Sequence, residues 1–228
     1  MRSSFYILSC LASILSCALP ALASDAQHWE VVTATAGLGD GWRISAENIA
    51  RTSQSRGFYE LEQNLMLGHT LDAAGLKGVT VWLGYTHDPN YTQGSFTLME
   101  HRFRQQVTAD RLLTIGKATV SGRIRLEERW REGQMGMAWR LRPYARLSVP
   151  VTPRLALVAT HESFLDLNRT GFQRIGGEER TRTFVGVNRR LWRRVSVDVG
   201  YMNQHGFVPD GADTTDNIAY LELKAPFQ

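Results

Sequence analysis

Residues 123–130 read RIRLEERW, and most of the chain after residue 28 follows the same pattern, a charged or polar side chain alternating with an apolar one. Successive side chains of a β-strand point to opposite faces, whereas a helix scatters both sets around its circumference. Arg123, Arg125, Glu127 and Arg129 therefore share one face, and Ile124, Leu126 and Trp130 the other. WRISAENIA sets Trp42, Ile44 and Ala46 against Arg43, Ser45 and Glu47. FYELEQNLML sets Tyr59, Leu61, Leu65 and Leu67 against Glu60, Glu62 and Asn64, and MAWRLRPYARLSV sets Trp139, Leu141 and Leu147 against Arg140, Arg142 and Arg146. Such a chain is all-β, and several runs exceed ten residues, against roughly 5–6 in ordinary soluble strands.

Alternation alone does not say which face is wet. A soluble sandwich or lipocalin-like barrel buries the apolar face and exposes the arginines. A transmembrane barrel inverts this, with apolar side chains toward lipid and polar ones toward the interior. Strands of this length match the ~9–11 tilted residues that cross a bilayer. Trp29, Trp42, Trp130, Trp139, Trp192 and Tyr201 lie near strand ends, where an interfacial girdle is placed. The chain ends LELKAPFQ, with Leu221, Leu223, Ala225 and Phe227 on one face and Gln228 after the phenylalanine; this looks like an outer-membrane assembly signal. The reading is an antiparallel transmembrane β-barrel, with a soluble periplasmic β-protein as the alternative.

The N-terminus sets the compartment. Arg2 precedes the apolar run FYILSCLASILSCALP, and Ala21-Leu22-Ala23 is a small-x-small cleavage pattern. Residues 1–23 read as a secretory signal peptide and 24–228 as one outer-membrane barrel domain. A lipoprotein reading with Cys17 acylated is disfavoured by Leu15 and by the better cleavage site downstream. Both cysteines, Cys10 and Cys17, fall in the leader, so disulfides and cysteine chemistry are excluded from the exported domain. The formal charge of +4 becomes +3 when Arg2 leaves with the leader. Lys77, Lys117 and Lys224 are the lysines, and the other basic residues are arginine. The rigid guanidinium fork suits crowded ion pairs, although a GC-rich genome gives the same bias. Mixed charge signs and export argue against nucleic acid. The expected surroundings are outer-membrane lipid in a Gram-negative bacterium.

Eleven segments carry the strand pattern, near 29–36, 41–51, 57–71, 77–88, 94–108, 116–130, 134–150, 154–166, 180–190, 193–205 and 215–227. Bacterial outer-membrane barrels generally have an even number of strands. The expectation is therefore about ten to twelve: ten if the weak first segment HWEVVTATAG lies outside the wall, twelve if two strands have been merged. The connections alternate between short (VTPR, RRLWRR) and longer polar (HDPNYTQG, DLNRTGFQRIGG, GFVPDGADTTD), the asymmetry of transmembrane barrels.

The spacing of EHRFRQQ, RIRLEERW, WRLRPYARLSVP, THESF, RTRTFVGVN and VDVGYMNQ resembles a Gram-negative family known as domain of unknown function 2490, over about residues 29–227. The matching positions are Glu100 and Arg102; Arg123, Arg125, Glu127 and Arg129; Glu162; and Arg182 with Gly186. The resemblance implies an exported outer-membrane barrel. It implies no activity, because the family has none established.

The chemistry-bearing feature is the charged face. Consecutive strands pair as neighbours about 4.8 Å apart, which sets Glu100, Arg102 and Arg104 beside Arg123, Arg125, Glu127 and Arg129, and these beside Arg140, Arg142 and Arg146. Glu60, Glu62, Glu47 and Glu162 are placed to supply counter-charge from other walls, Arg182 joins the network, and the excess of arginine on the three central strands predicts a locally positive surface. The expected role is non-enzymatic: a structural ion-pair plug, or a narrow pore or binding site for small anionic solutes. A lipid-modifying barrel enzyme is the second alternative. His161, Glu162 and Ser163 are adjacent, but 161 and 163 share a face that 162 does not, so no catalytic relay is expected. Neither G-x-S-x-G nor a second zincin histidine occurs. His87, Asp88 and His205 with Asp210, Asp213 or Asp216 lack metal-site spacing. No catalytic residue, cofactor or metal is assigned.

Overall fold

The computed structural model describes residues 25–71, 78–209 and 211–227; the leader reading falls outside them. The described residues form eleven strands: β1 (Asp25–Gly39), β2 (Trp42–Ser53), β3 (Gly57–Leu71), β4 (Val79–Thr92), β5 (Ser95–Ile115), β6 (Ala118–Arg131), β7 (Ala138–Thr152), β8 (Leu155–Asp166), β9 (Gly177–Trp192), β10 (Val195–Gly206) and β11 (Thr214–Phe227). They close into one barrel in which every sequential neighbour pairs antiparallel.

The all-β barrel agrees with the alternation, and the strand number falls within the expected range. The even-number expectation does not survive. β1, the segment that might have lain outside the wall, is a full member of it. It pairs parallel with β11, with Trp29 opposite Tyr220 and Val31 opposite Glu222. Parity and closure are linked: in an up-and-down sheet an odd number of strands brings the first and last together running the same way. β1 and β11 thus start at one end of the barrel and finish at the other.

The two ends differ. Asp40–Gly41, Gly116–Lys117, Pro153–Arg154 and Arg193–Arg194 turn the chain tightly at one, the short-turn end. The 167–176 and 207–213 connections lie at the other, the long-loop end. HDPNYTQG, expected as a long loop, is mostly strand: β4 runs through it to Thr92, and a two-residue turn follows. Gln93 and Gly94 both have positive φ (51° and 78°), the geometry of a tight hairpin. Pro89 is tolerated because the β3–β4 ladder is interrupted there: Asn90 and His87 pair with Glu60 and Gln63, and the pairing skips Pro89 between them.

Alternation resolves into inside and outside as the charged rows required. Leu65, Leu83 and Ile124 are each more than half exposed, and Val81, Val107, Leu157, Val199 and Leu221 share the outer face. Arg104 and Glu127, by contrast, are fully buried inside. Two aromatics depart from the reading. Trp29, expected in a girdle, points inward and is buried, and Tyr59 is buried with the polar face because a bulge at Arg51/Thr52 shifts it inward. Trp42 and Trp192 remain exposed near the short-turn end.

Inside, β1 and β8–β11 contribute an apolar cluster of Trp29, Val158, Phe184, Met202 and Ile218 with Tyr220 against it, while β3–β7 contribute charge. The Phe184 ring lies across the paired glycines Gly186 and Gly200. A Cβ on Gly200 would sit 2.3 Å from the Val185 carbonyl oxygen and 2.6 Å from Gly186 Cα, a clash with backbone that cannot rotate away. Gly200→Val is expected to lower stability by about 1–3 kcal/mol or more, whereas Gly37→Val, with nothing within 4 Å of the added Cβ, leaves it nearly unchanged. Urea midpoints of the two variants check this; equal midpoints would contradict the packing.

Candidate functional site

Glu127 on β6 is the hub of the interior. Its carboxylate accepts from Arg140 Nη2 at 2.6 Å and Arg142 Nη1 at 2.7 Å, lies 3.2 Å from Arg104 Nε and is 3.9 Å from Arg125. The strand ladder explains this directly: Arg104 and Arg140 face Glu127 across its two ladders, and Arg142 is one inward step further along β7. Adjacent strands at ~4.8 Å let guanidinium and carboxylate meet across the ladder without bending either strand.

From this hub the ion pairs run continuously. Arg104 donates to Glu62 on β3, two strands away, at 2.5 Å, and Glu62 accepts from Arg51 at 3.0 Å. Arg51 also holds Glu60, while Arg102 joins Glu62, Asp88 and Glu100. Glu100 accepts from Arg129 at 2.9 Å and Arg131 at 2.5 Å. Arg142 donates to both oxygens of Glu162, at 3.0 and 3.1 Å, and Arg123 reaches Glu162 too. Of the residues singled out in the sequence, Glu60, Glu62, Glu100, Arg102, Arg104, Arg123, Arg125, Glu127, Arg129, Arg140, Arg142 and Glu162 thus belong to one network.

Arg146 does not. It pairs with Asp198 at 2.6 Å in a separate cluster with Lys224 and Asn188, nearer the short-turn end. Arg182 lies beside the network but has no carboxylate within ion-pair range among the described residues; its Nε donates to Gln204 at 2.8 Å, and its guanidinium stacks between Trp29 and Phe164. The expectation of a locally positive wall is corrected. Glu62, Asp88 and Glu162 stand on the flanking strands β3, β4 and β8 and reach in from both sides, so the arginine excess of β5–β7 is neutralised.

The reading missed Arg51, Asp88, Arg131, Glu179 and Arg180. Asp88 lay in the supposed HDPNYTQG loop. Arg51 has a residue-level signal, since Ser45, Glu47 and Arg51 share a face of β2, but its partners on β3 are set by the bulge. Arg140 lies 3.5 Å from Glu179, which also holds Arg180 at 2.9 Å.

The network divides the barrel. A cavity of about 360 Å³ lies on the short-turn side and one of about 500 Å³ on the long-loop side. Trp29, Arg51, Glu62, Arg142 and Arg182 line both, so these side chains stand where the two cavities adjoin. The 167–176 connection folds over the long-loop mouth. Gln173 is buried there, accepting from Arg129 at 3.0 Å and donating to the Trp139 and Asn168 carbonyl oxygens.

Glu60, Glu62 and Asp88 bring carboxylate oxygens within 4.8 Å of one another, a donor set suited to a hard cation. Arg51 and Arg102 already sit among them, so the positive charge this set calls for comes from the protein itself. His161 and Ser163 are on the exposed outer face, 3.5 Å apart, while Glu162 points inward.

Fold and interior define a class: a closed β-barrel with an apolar outer surface and a core of paired charges. The chain belongs to a family of proteins of unknown function, DUF2490, which matches residues 26–215. It is 25% identical to an uncharacterised protein of Methylorubrum extorquens over 224 residues, covering 93% of this chain and 95% of that one. No solved structure matches it.

Removing the hub should leave several buried arginines uncompensated. Glu127→Ala is expected to cost about 3–5 kcal/mol, while Glu30→Ala, at an exposed outer position beside His28, changes stability by no more than about 0.5 kcal/mol. Urea unfolding of both variants tests this; a Glu127 variant near wild type would mean that its carboxylate is not the centre of the lattice.

Proposed function

We propose that the protein is a non-enzymatic outer-membrane β-barrel whose interior is closed by its own ion-pair septum. The observation that carries this reading is the reversal of faces: large apolar side chains cover the outside while arginines and carboxylates fill the inside. A soluble protein of this shape would hold a wide apolar surface against water, which monomeric proteins rarely do, whereas lipid accepts such a surface. Strands of 12–21 residues exceed the ~9–11 needed to cross.

A septum rather than a pore follows from packing and charge. Eleven strands stand between the filled eight-stranded barrel and the open sixteen-stranded porin. At the waist the space is taken by guanidinium–carboxylate contacts, each of which a passing ion would have to break. The role is therefore a structural plug, in preference to a channel for small anionic solutes. The enzymatic alternative gains nothing from the outward His161 and Ser163, whose neighbour Glu162 is committed to Arg142 and Arg123.

Two measurements test the reading in sequence. Cell fractionation with gel electrophoresis of unboiled and boiled samples should recover the protein in the outer membrane, with a compact, faster band before boiling. Soluble recovery with one unshifted band would turn the molecule inside out and end the membrane reading. In planar bilayers the folded protein should then show no sustained conductance, and stable unitary steps would replace the plug by a pore.

A further inference from the structure

At the short-turn end the ion-pair logic of the interior is abandoned. The end of β9 and its turn into β10 read RRLWRR, residues 189–194, and every one of these residues is exposed. Arg154, in the β7–β8 turn, lies alongside, its carbonyl oxygen accepting from Arg190 N at 2.9 Å. Together the two turns shape an open groove of about 440 Å³ lined by Thr152, Arg154, Leu155, Arg189, Arg190 and Leu191. Arg154, Arg189 and Arg190 have no carboxylate within ion-pair range among the described residues, in a protein that pairs nearly all its interior arginines.

The position of the groove is as informative as its charge. Arg189 follows Val185 and Val187 on the outer row of β9, opposite Leu155 and Leu157 of β8. Basic charge therefore begins where the apolar belt stops. Trp192, exposed and stacked under Arg193 at 4.8 Å, marks the same level, and tryptophan prefers the headgroup region. A groove with cationic walls, leucine on its floor and a tryptophan beside it matches a ligand with an anionic phosphate on an acyl glycerol. Free phosphate would use the arginines and leave the leucines in water.

We propose that this groove binds the headgroup of an anionic phospholipid in the leaflet at the short-turn end. Arg154 and Arg189 take the phosphodiester and Arg190, on the inward row of β9 beside them, adds its charge at the rim, while Leu155 and Leu191 lie against the first methylenes. The site rests on the membrane reading above and adds a specific lipid partner to it. It also orients the barrel, since the short-turn end faces the leaflet that carries anionic phospholipid.

The test uses the folded protein in uncharged dodecyl maltoside micelles, titrated with phosphatidylglycerol or phosphatidylcholine and followed by native mass spectrometry. The wild type should retain phosphatidylglycerol under activation that strips phosphatidylcholine. The triple variant R154Q/R189Q/R190Q should bind phosphatidylglycerol about a hundredfold more weakly, each arginine contributing a factor of about five. Equal retention of the two lipids by the wild type, or undiminished phosphatidylglycerol binding by the variant, overturns the site. If the triple variant lacks the compact unboiled band, R154Q alone and wild type at about 0.5 M salt must each weaken binding, because an exposed electrostatic site is screened; persistence in both also overturns it. A wild type with the compact band but no lipid discrimination removes only this site, whereas a wild type that stays soluble without detergent and shows no compact band removes the membrane reading beneath it.

Discussion

The structure depends on a set of charges that have been taken out of water and must therefore satisfy one another. An unpaired ion in such an interior costs several kcal/mol even after relaxation. Glu127 has four arginines within 4 Å, and Glu62 and Glu100 repeat the arrangement with three each. Arginine makes this possible. Its planar fork donates along several directions at once and is less tightly hydrated than an ammonium, so one guanidinium can bridge two or three carboxylates, as Arg102 does. The lattice in turn holds β3 through β8 at a common distance from the barrel axis, which is the constraint the wall must meet in order to close.

Closure is the second constraint. An open sheet leaves a row of unpaired backbone donors and acceptors at each edge, and a barrel removes both. With eleven strands the seam is the parallel β1–β11 pair. Trp29 on β1 and Tyr220 on β11 are direct partners across it, and both pack on Phe184 and Met202 inside. The apolar side of the interior thus backs the seam, while the charged side backs the antiparallel wall. The glycine pair Gly186–Gly200 belongs to the same solution, since it clears the space into which Phe184 lies.

Outside, the chemistry reverses and then reverses again. The apolar belt gives way at the short-turn end to Arg154, Arg189 and Arg190, exposed and with no carboxylate within ion-pair range among the described residues, and at the long-loop end to a connection that folds inward and ties itself down through Gln173 and Asn168. Interior arginines are matched by the protein, and the rim arginines are left for something else. That contrast assigns different jobs to one residue type.

Strand identity, the division into two faces and most of the interior charge were legible in the sequence, because the period-two rule is local: each residue's face follows from its neighbours along the same strand. Glu100, Arg102, Arg125, Glu127 and Arg142 were found this way. What was not legible required contacts between distant segments. The β1–β11 seam joins the two ends of the chain, so its parallel pairing, and with it the odd strand number, could not be read from either segment alone. Tyr59 turned inward because of a bulge that depends on the partner strand, and Asp88 joined the interior because β4 runs on through the expected loop. Arg51 meets Glu60 and Glu62 through the bulged β2–β3 register, and Glu179 and Glu62 reach arginines two strands away, at a distance set by the barrel's curvature. The sequence by itself determined which side chains turn inward; only the tertiary structure decided which of them meet, because pairing energies act through space and the barrel's curvature brings strands two apart within a side chain's length.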